Sequence, residues 1–459
     1  MSRRPVWETV FERFDPLVPV PREHTEWHAA RPLSPLDSIC KKLDFPKGMP
    51  HVLLTGTQGT GKSTELRRVA QARDGKEFVV FLDLEHHFDK VVGDWEALQH
   101  VTAWEVVFLT GLAVLRSAEE LLGFRLAPEH RRALEQAWVD AAKLSKAIES
   151  TPEVDAGKLA KSLVLLASAA GAAALGPAGA ATGTAVGGLA ALTESAKWSL
   201  PFGLSKTKLP DQEREAQTLV ACVNVIIGLV QQRGTKVLVM LDGLDRIKEL
   251  DRAVELFVES KLIGQLACRV VLCGPFVLRT DGSLLGVRGF SDVPPLVNVP
   301  VLDKDDPSRP GPGIPFFREL FARRVADIGA PALILPPEID RLAYYSGGRA
   351  RDFVDMIQRV AQAAWGDDVA TASAEIVDAV IDERRRHWET GLHRGHIRVL
   401  EGIVNDPEHQ LPDLPDDPLA QRLLANGALL PYPDGSEWYY PHPLLMMRFI
   451  RRKAAGSSR

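Results

Sequence analysis

Unbroken apolar runs recur along this chain, each closed by a polar residue or a glycine-rich turn. His51–Thr55, Glu77–Asp83, Lys236–Asp242 and Arg269–Cys273 are such runs. A short run without polar alternation predicts a strand buried on both faces, as in a parallel sheet. Leu296–Val301 predicts the last strand of the set. Between the strands the spacing changes to that of helices, and Thr64–Ala72 places Leu66, Val69 and Ala70 on one face. Strands alternating with helices predict an α/β core, doubly wound, with a parallel sheet and helices on both faces. Beyond it, Pro315–Arg324 has helical period. A second helix is expected to open at Gly347-Gly348-Arg349-Ala350-Arg351-Asp352 and run to about Ala364. Two short helices, Arg394–Val404 and Asp417–Asn426, then precede apolar segments separated by Pro433-Asp434-Gly435-Ser436. Asp-Gly in a short loop between such segments is a specific hairpin signal.

The first strand leads into Gly56-Thr57-Gln58-Gly59-Thr60-Gly61-Lys62-Ser63, followed by Thr64. This is G-x-x-x-x-G-K-S, a complete phosphate-binding loop in its strand–loop–helix context. Glycines let backbone N–H groups approach phosphate oxygens, and the amino end of the next helix adds more. Lys62 is the expected contact to the β- and γ-phosphates, and Ser63 an expected ligand of Mg²⁺. Such a loop needs a carboxylate to complete the metal's surroundings. Asp242 supplies it at the carboxyl end of an apolar strand, where open α/β sheets bind ligands. Asp245, three residues on, is a candidate for orienting water or for capping the following helix.

At this point the layout resembles the AAA+ superfamily of P-loop ATPases. The resemblance implies a helical lid after the sheet, with a Gly-Gly-x-x-Arg-type helix carrying an arginine that senses the γ-phosphate. Arg351 takes that role, with Arg349 as the competing assignment. Arg288 lies where such proteins often place an intersubunit arginine finger. Helices followed by a hairpin suggest a winged helix, which origin-recognition-type AAA+ ATPases and STAND switch ATPases both carry here. In STAND proteins a histidine near the end of the wing holds the β-phosphate of ADP. His442, within Tyr440-Pro441-His442-Pro443-Leu444-Leu445, stands at that place, flanked by prolines and lacking the usual acidic neighbour in sequence. Arg448, Arg451, Arg452 and Lys453 form a basic tail.

The expected organisation is a lead segment (1–48), a P-loop core (49–302) with an inserted region at about 110–215, a helical lid (303–390), and a winged helix with the basic tail (391–459). Ala103–Ala147, leading into the insertion, has helical spacing. Within the insertion, Ser162–Thr193 carries no charge, and Gly179, Gly183 and Gly187 recur at four-residue steps, a spacing that permits close helix contact. KAP-type P-loop ATPases carry membrane helices between these same two motifs. Gly176-Pro177 would split this segment into arms shorter than the ~20 apolar residues of a span. Contact of residues 162–193 with a membrane and a soluble insertion are therefore both open.

Composition narrows the classes. The net charge is -5, so any nucleic-acid surface would be local. The four cysteines are scattered without disulfide or zinc spacing, as in a reducing cytoplasm, and the amino terminus lacks the apolar core of a signal peptide. The sequence also has no G-x-S-x-G elbow and no H-E-x-x-H. The leading expectation is a cytoplasmic ATPase that binds ATP or ADP with Mg²⁺ and signals its nucleotide state to a protein partner or its own oligomer. Gly243 follows Asp242 where strongly hydrolysing motors place a glutamate, so turnover is expected to be slow. A DNA-binding loader using the winged helix, and a membrane-associated effector, are the alternatives.

Overall fold

The computed structural model describes residues 2–18, 20, 24–144, 210–280, 282–328, 332–412, 418–435, 437–447 and 450. The uncharged segment 162–193 and the basic tail residues 448 and 451–453 lie outside them. The α-helices in chain order are α1 (Arg4–Arg13), α2 (Leu36–Asp44), α3 (Lys62–Arg73), α4 (Leu84–His87), α5 (Ala103–Leu122), α6 (Pro128–Leu144), α7 (Pro210–Gln231) and α8 (Leu250–Val254). They continue as α9 (Ile314–Val325), α10 (Pro336–Tyr345), α11 (Ala350–Gly366), α12 (Ala374–Glu389), α13 (Arg394–Asn405), α14 (Pro418–Asn426) and α15 (Pro443–Met446). The strands are β1 (His51–Gly56), β2 (Phe78–Asp83), β3 (Val237–Asp242), β4 (Arg269–Pro275), β5 (Leu429–Tyr432) and β6 (Trp438–Pro441). The chain forms two compact units, each of separate segments. One holds 35–55 and 65–295, the other 1–34, 56–64 and 296–459.

In the first unit β1, β4, β3 and β2 lie side by side in that order, and the β2–β3 and β3–β4 pairs are parallel. The fold class is therefore α/β with a parallel sheet, as the sequence predicts. β1, β3 and β4 are buried along their whole length, which requires cover on both faces. Asp83 and Asp242 are register partners at the carboxyl end of β2 and β3.

One expected strand is corrected. Leu296–Val301 forms no regular strand. The edge next to β1 is made earlier, by parallel bridges of Asp292 to Val52 and of Pro295 to Thr55. Leu53 donates to the Asp292 carbonyl and Thr55 to that of Pro294. Pro294 and Pro295 have no N–H to give back, so the pairing stays a pair of bridges on an edge.

The stretch after Thr102, with the helical spacing expected of it, forms α5 and α6. Thr102 and Glu105 make a capping box at the start of α5, and Gly123 ends it in the left-handed conformation. α7 packs against both α5 and α6. At the α5–α7 crossing, a Cβ on Gly111 would meet Val223 at 2.7 Å, so only glycine allows this approach. At the opposite end of the sheet a buried ionic cluster ties α2 down. Glu77 pairs with Arg73 (3.1 Å) and with Arg269, while Arg269 and Arg73 donate to the Phe45 and Leu43 carbonyls.

The second unit is mainly helical. α1, within what the sequence reading treated as a lead segment, packs on α11, and Trp7 is fully buried with its indole N–H on the Val369 carbonyl (2.8 Å). α13 and α14 precede the antiparallel hairpin of β5 and β6. Asn298 ties the chain to that hairpin through its backbone and side-chain N–H groups, both donating to the Pro431 carbonyl.

Candidate nucleotide site

The glycine-rich loop has the conformation its sequence demands. Gly59 and Gly61 have φ of +83° and +101°, values that side chains on other residues resist. α3 begins at Lys62, so its first-turn N–H groups have no partners within the helix. Lys62 is buried, and its Nζ donates to the carbonyls of Gly56 (2.8 Å) and Thr57 (2.7 Å). Thr60 Oγ1 also donates to the Thr57 carbonyl. Gln58, Ser63 and Thr64 are partly exposed.

Three further donors meet the loop's carbonyls. Arg349, which caps α11, directs Nε (3.1 Å) and Nη2 (2.7 Å) to the Gln58 carbonyl. The backbone N–H of Arg351 donates to the Gly59 carbonyl (3.1 Å). Arg31 donates to the carbonyls of Thr60 and Val297. Every carbonyl from Gly56 to Thr60 thus has a donor, which fixes the peptide planes of the loop. A phosphate-binding loop works through preset N–H dipoles, and fixed planes provide them.

Arg351 has its Cβ beside Gly59, while Arg349 places its guanidinium on the Gln58 carbonyl. Arg349 is buried, whereas Arg351 is half-buried. The preceding glycines explain the placement. Gly347 and Gly348 have φ of +62° and +77°, and a Cβ on Gly348 would fall 1.9 Å from the Val299 carbonyl. The chain can therefore fold tightly onto Val299 before α11 starts, which brings Arg349 to Gln58.

His442 is fully buried in the same unit. Its Nε2 lies 3.3 Å from Asp352 Oδ2, and its Nδ1 accepts from the Leu444 N–H (3.4 Å). Nδ1 as acceptor places the proton on Nε2, so the neutral ring donates to Asp352. Burial lowers the pKa of His442 against the opposing pull of Asp352. Burial alone would raise the Asp352 carboxyl, yet the charge of Arg349 and the His442 hydrogen bond hold it at about 2. The acidic neighbour missing from the local sequence is thus supplied in space. Asp352 sits inside the motif already singled out, but its pairing with His442 had no sequence signal. Neither had the contact of Arg31.

In the sheet-bearing unit, Asp242 ends β3, is 6% exposed and accepts from the Gly243 N–H (2.9 Å). Asp245 lies within a one-turn 3₁₀ helix, Leu244–Arg246. The cap position of the next α-helix is held by Glu249, so Asp245 does not cap it. Gly243 has φ +95°, and a Cβ there would lie 2.6 Å from the Glu85 backbone nitrogen. A glutamate after Asp242 is sterically excluded. Burial raises the carboxyl of Asp83, which accepts from the His86 N–H (3.0 Å). Arg288 is exposed. His87 is buried with its pKa lowered to about 3 by desolvation. Among the described residues no His, Cys, Asp and Glu cluster of metal-binding geometry occurs.

No protein-family model matches the sequence, and no curated protein matches it. Solved structures with a similar chain path include the ORC2 protein of Aeropyrum pernix in ADPNP–ADP complexes, with TM-score 0.39, 10% identity and coverage of 94% of this chain and 93% of that one. The ORC1 protein of the same organism, in complex with DNA, matches with TM-score 0.35 and 11% identity, covering 96% of each chain. The RuvB Holliday junction branch migration motor of Thermotoga maritima matches with TM-score 0.26 and 12% identity, over 52% of this chain and 84% of that one.

Proposed function

We propose that this chain binds ATP and ADP at the Gly56–Thr64 loop, hydrolyses ATP slowly, and acts as a nucleotide-dependent switch toward a protein partner or its own oligomer. The observation that carries the reading is the loop itself. It has a complete motif, left-handed glycines, a helix starting at Lys62, and a donor on every carbonyl from Gly56 to Thr60. Ser63 and Asp242 are the residues that would hold Mg²⁺, which supplies charge neutralisation on the phosphates. A hydroxyl at the start of a helix and a carboxylate at the end of a parallel strand fit that ion's preference for oxygen ligands. Lys62 binds the β- and γ-phosphates and offsets charge as water attacks in line. Arg351 is the proposed γ-phosphate sensor, with Arg349, whose guanidinium holds the Gln58 carbonyl, the competing assignment. Asp245 is a proposed water-orienting group, and the slow rate follows from glycine at 243.

The test is the nucleotide content and turnover of the purified protein beside Lys62→Ala. Retained ADP with slow hydrolysis, both lost in the variant, supports the reading. Nucleotide absent from both proteins, with no binding on addition of Mg-ATP, refutes it.

A second reading, a DNA-binding loader, takes the helices α13 and α14 and the β5–β6 hairpin that follows them as a winged helix. It requires duplex binding that strengthens as salt falls. Membrane contact by residues 162–193 would concern a segment outside the described residues. No helix among the described residues is long and apolar enough to cross a membrane.

A further inference from the structure

A continuous set of buried contacts joins the phosphate loop to the segment after β6. The guanidinium of Arg349 gives Nε and Nη2 to the Gln58 carbonyl and Nη1 to Asp352 Oδ2 at 2.9 Å. The same Oδ2 takes the His442 N–H. The Trp388 ring stacks on the imidazole, with centroids 4.6 Å apart and planes at 24°, and Arg349 Cζ lies 5.8 Å from that ring. Gly427 closes another side: its φ is +76°, and a Cβ there would be 2.5 Å from Arg349 Nη1. The His442 backbone N–H is held by the Ala428 carbonyl (2.9 Å), and the Tyr432 hydroxyl donates to the Gly347 carbonyl (2.8 Å).

We infer that Asp352 and His442 are positioning residues that hold the Arg349 guanidinium on the Gln58 carbonyl, so that phosphate-loop occupancy and the seating of the β6–α15 segment are one linked equilibrium. The inference rests on the nucleotide reading above and adds its regulation. One guanidinium bridges a loop carbonyl and a buried carboxylate. A ligand that changes how the loop holds the guanidinium therefore changes what Asp352 and His442 are bonded to. Linkage makes the effect reciprocal: the seating of His442 changes nucleotide affinity by the same factor. His442 acts here through two intermediaries, without touching phosphate.

The experiment is a double-mutant cycle on ADP affinity in the full chain, with Arg349→Ala, His442→Ala and the pair. It is read beside amide hydrogen exchange over residues 438–446 with and without ADP. Each single change is expected to weaken ADP binding by about tenfold, a typical coupling. The pair should bind no more weakly than Arg349→Ala alone. ADP should alter exchange at His442 and Leu445 in the wild type but not in Arg349→Ala. His442→Gln keeps an N–H donor for Asp352 and should restore most of the affinity. If His442→Ala fails to fold, Asp352→Asn takes its place. Additive losses in well-folded variants, or exchange indifferent to ADP, overturn the inference and leave the nucleotide reading standing. A wild type that binds no ADP overturns both.

Discussion

Gly348 lies against the carbonyl of Val299, so close that a Cβ would come within 1.9 Å of the oxygen, and the Val299 N–H donates back to the Gly348 carbonyl at 3.0 Å. This contact fixes where α11 begins, and with it Arg349. Gly348→Ala would suffer both a left-handed backbone cost of about 1–2 kcal/mol and a clash with fixed backbone. The expected loss is about 4 kcal/mol in all, the size reserved for strained sites. Urea denaturation beside wild type measures it. A loss under about 1 kcal/mol would mean that the turn can rearrange.

Arg31 reaches the Thr60 and Val297 carbonyls from a segment that carries no motif. Arg31→Ala should leave the melting temperature nearly unchanged, because the side chain is only partly buried. It should weaken nucleotide binding by about ten- to hundredfold, the scale of one lost charge-assisted hydrogen bond. Titration with a fluorescent ADP analogue is the measurement. Unchanged affinity would show that Lys62 and Arg349 hold the loop without it.

The sequence made the loop, the Asp242 strand and the hairpin legible because each depends on local rules. A glycine pattern, an unbroken apolar run and an Asp-Gly turn need no knowledge of distant partners. The sheet edge was misplaced by four residues, since Val297, Val299 and Val301 look more strand-like than Asp292–Pro295. Pairing at that edge depends on which segment lies beside β1, a long-range fact. The same limit hid Asp352 from His442, 90 positions apart along the chain. It also hid the contact of Arg349 with Gln58, because the motif pointed to Arg351 and the Gly347-Gly348 turn that brings Arg349 to the loop shows only in three dimensions.

Buried histidines set the acid response. His87 is held at about 3, and His51 and His442 are lowered as well, each chiefly by burial. The unfolded chain binds these protons near pH 6.5 and the folded chain only below that. Stability is therefore full above pH 6.5 and falls as pH drops toward the folded values. Each group contributes a slope of about 1.4 kcal/mol per pH unit within its window. Asp352, held at about 2, adds a second contribution to stability, fully present above its unfolded value near 3.8 and lost as pH falls toward 2. His87→Leu should flatten the decline between pH 6.5 and 3 by up to one such slope. Denaturation at a series of pH values reads it directly, and an unaltered slope would show that His87 already carries its proton when folded.

Gly243 offers a test of why turnover should be slow. A glutamate after Asp242 is what a fast motor would place there, and Gly243→Glu restores it on paper. The structure argues that the substitution fails as a gain of function. The backbone at 243 is left-handed, and the first side-chain atom would press on the Glu85 backbone nitrogen at 2.6 Å, with Glu85 itself tied to Arg246 at 2.7 Å. Backbone on both sides of the clash leaves little room to yield, so the turn carrying Asp242 should deform. The expected result is a loss of about 3 kcal/mol in stability with no rise in ATP hydrolysis. Steady-state phosphate release together with a melting curve decides it. A stable Gly243→Glu protein with raised turnover would show that the turn can open, and that slow hydrolysis in the wild type comes from the missing carboxylate alone.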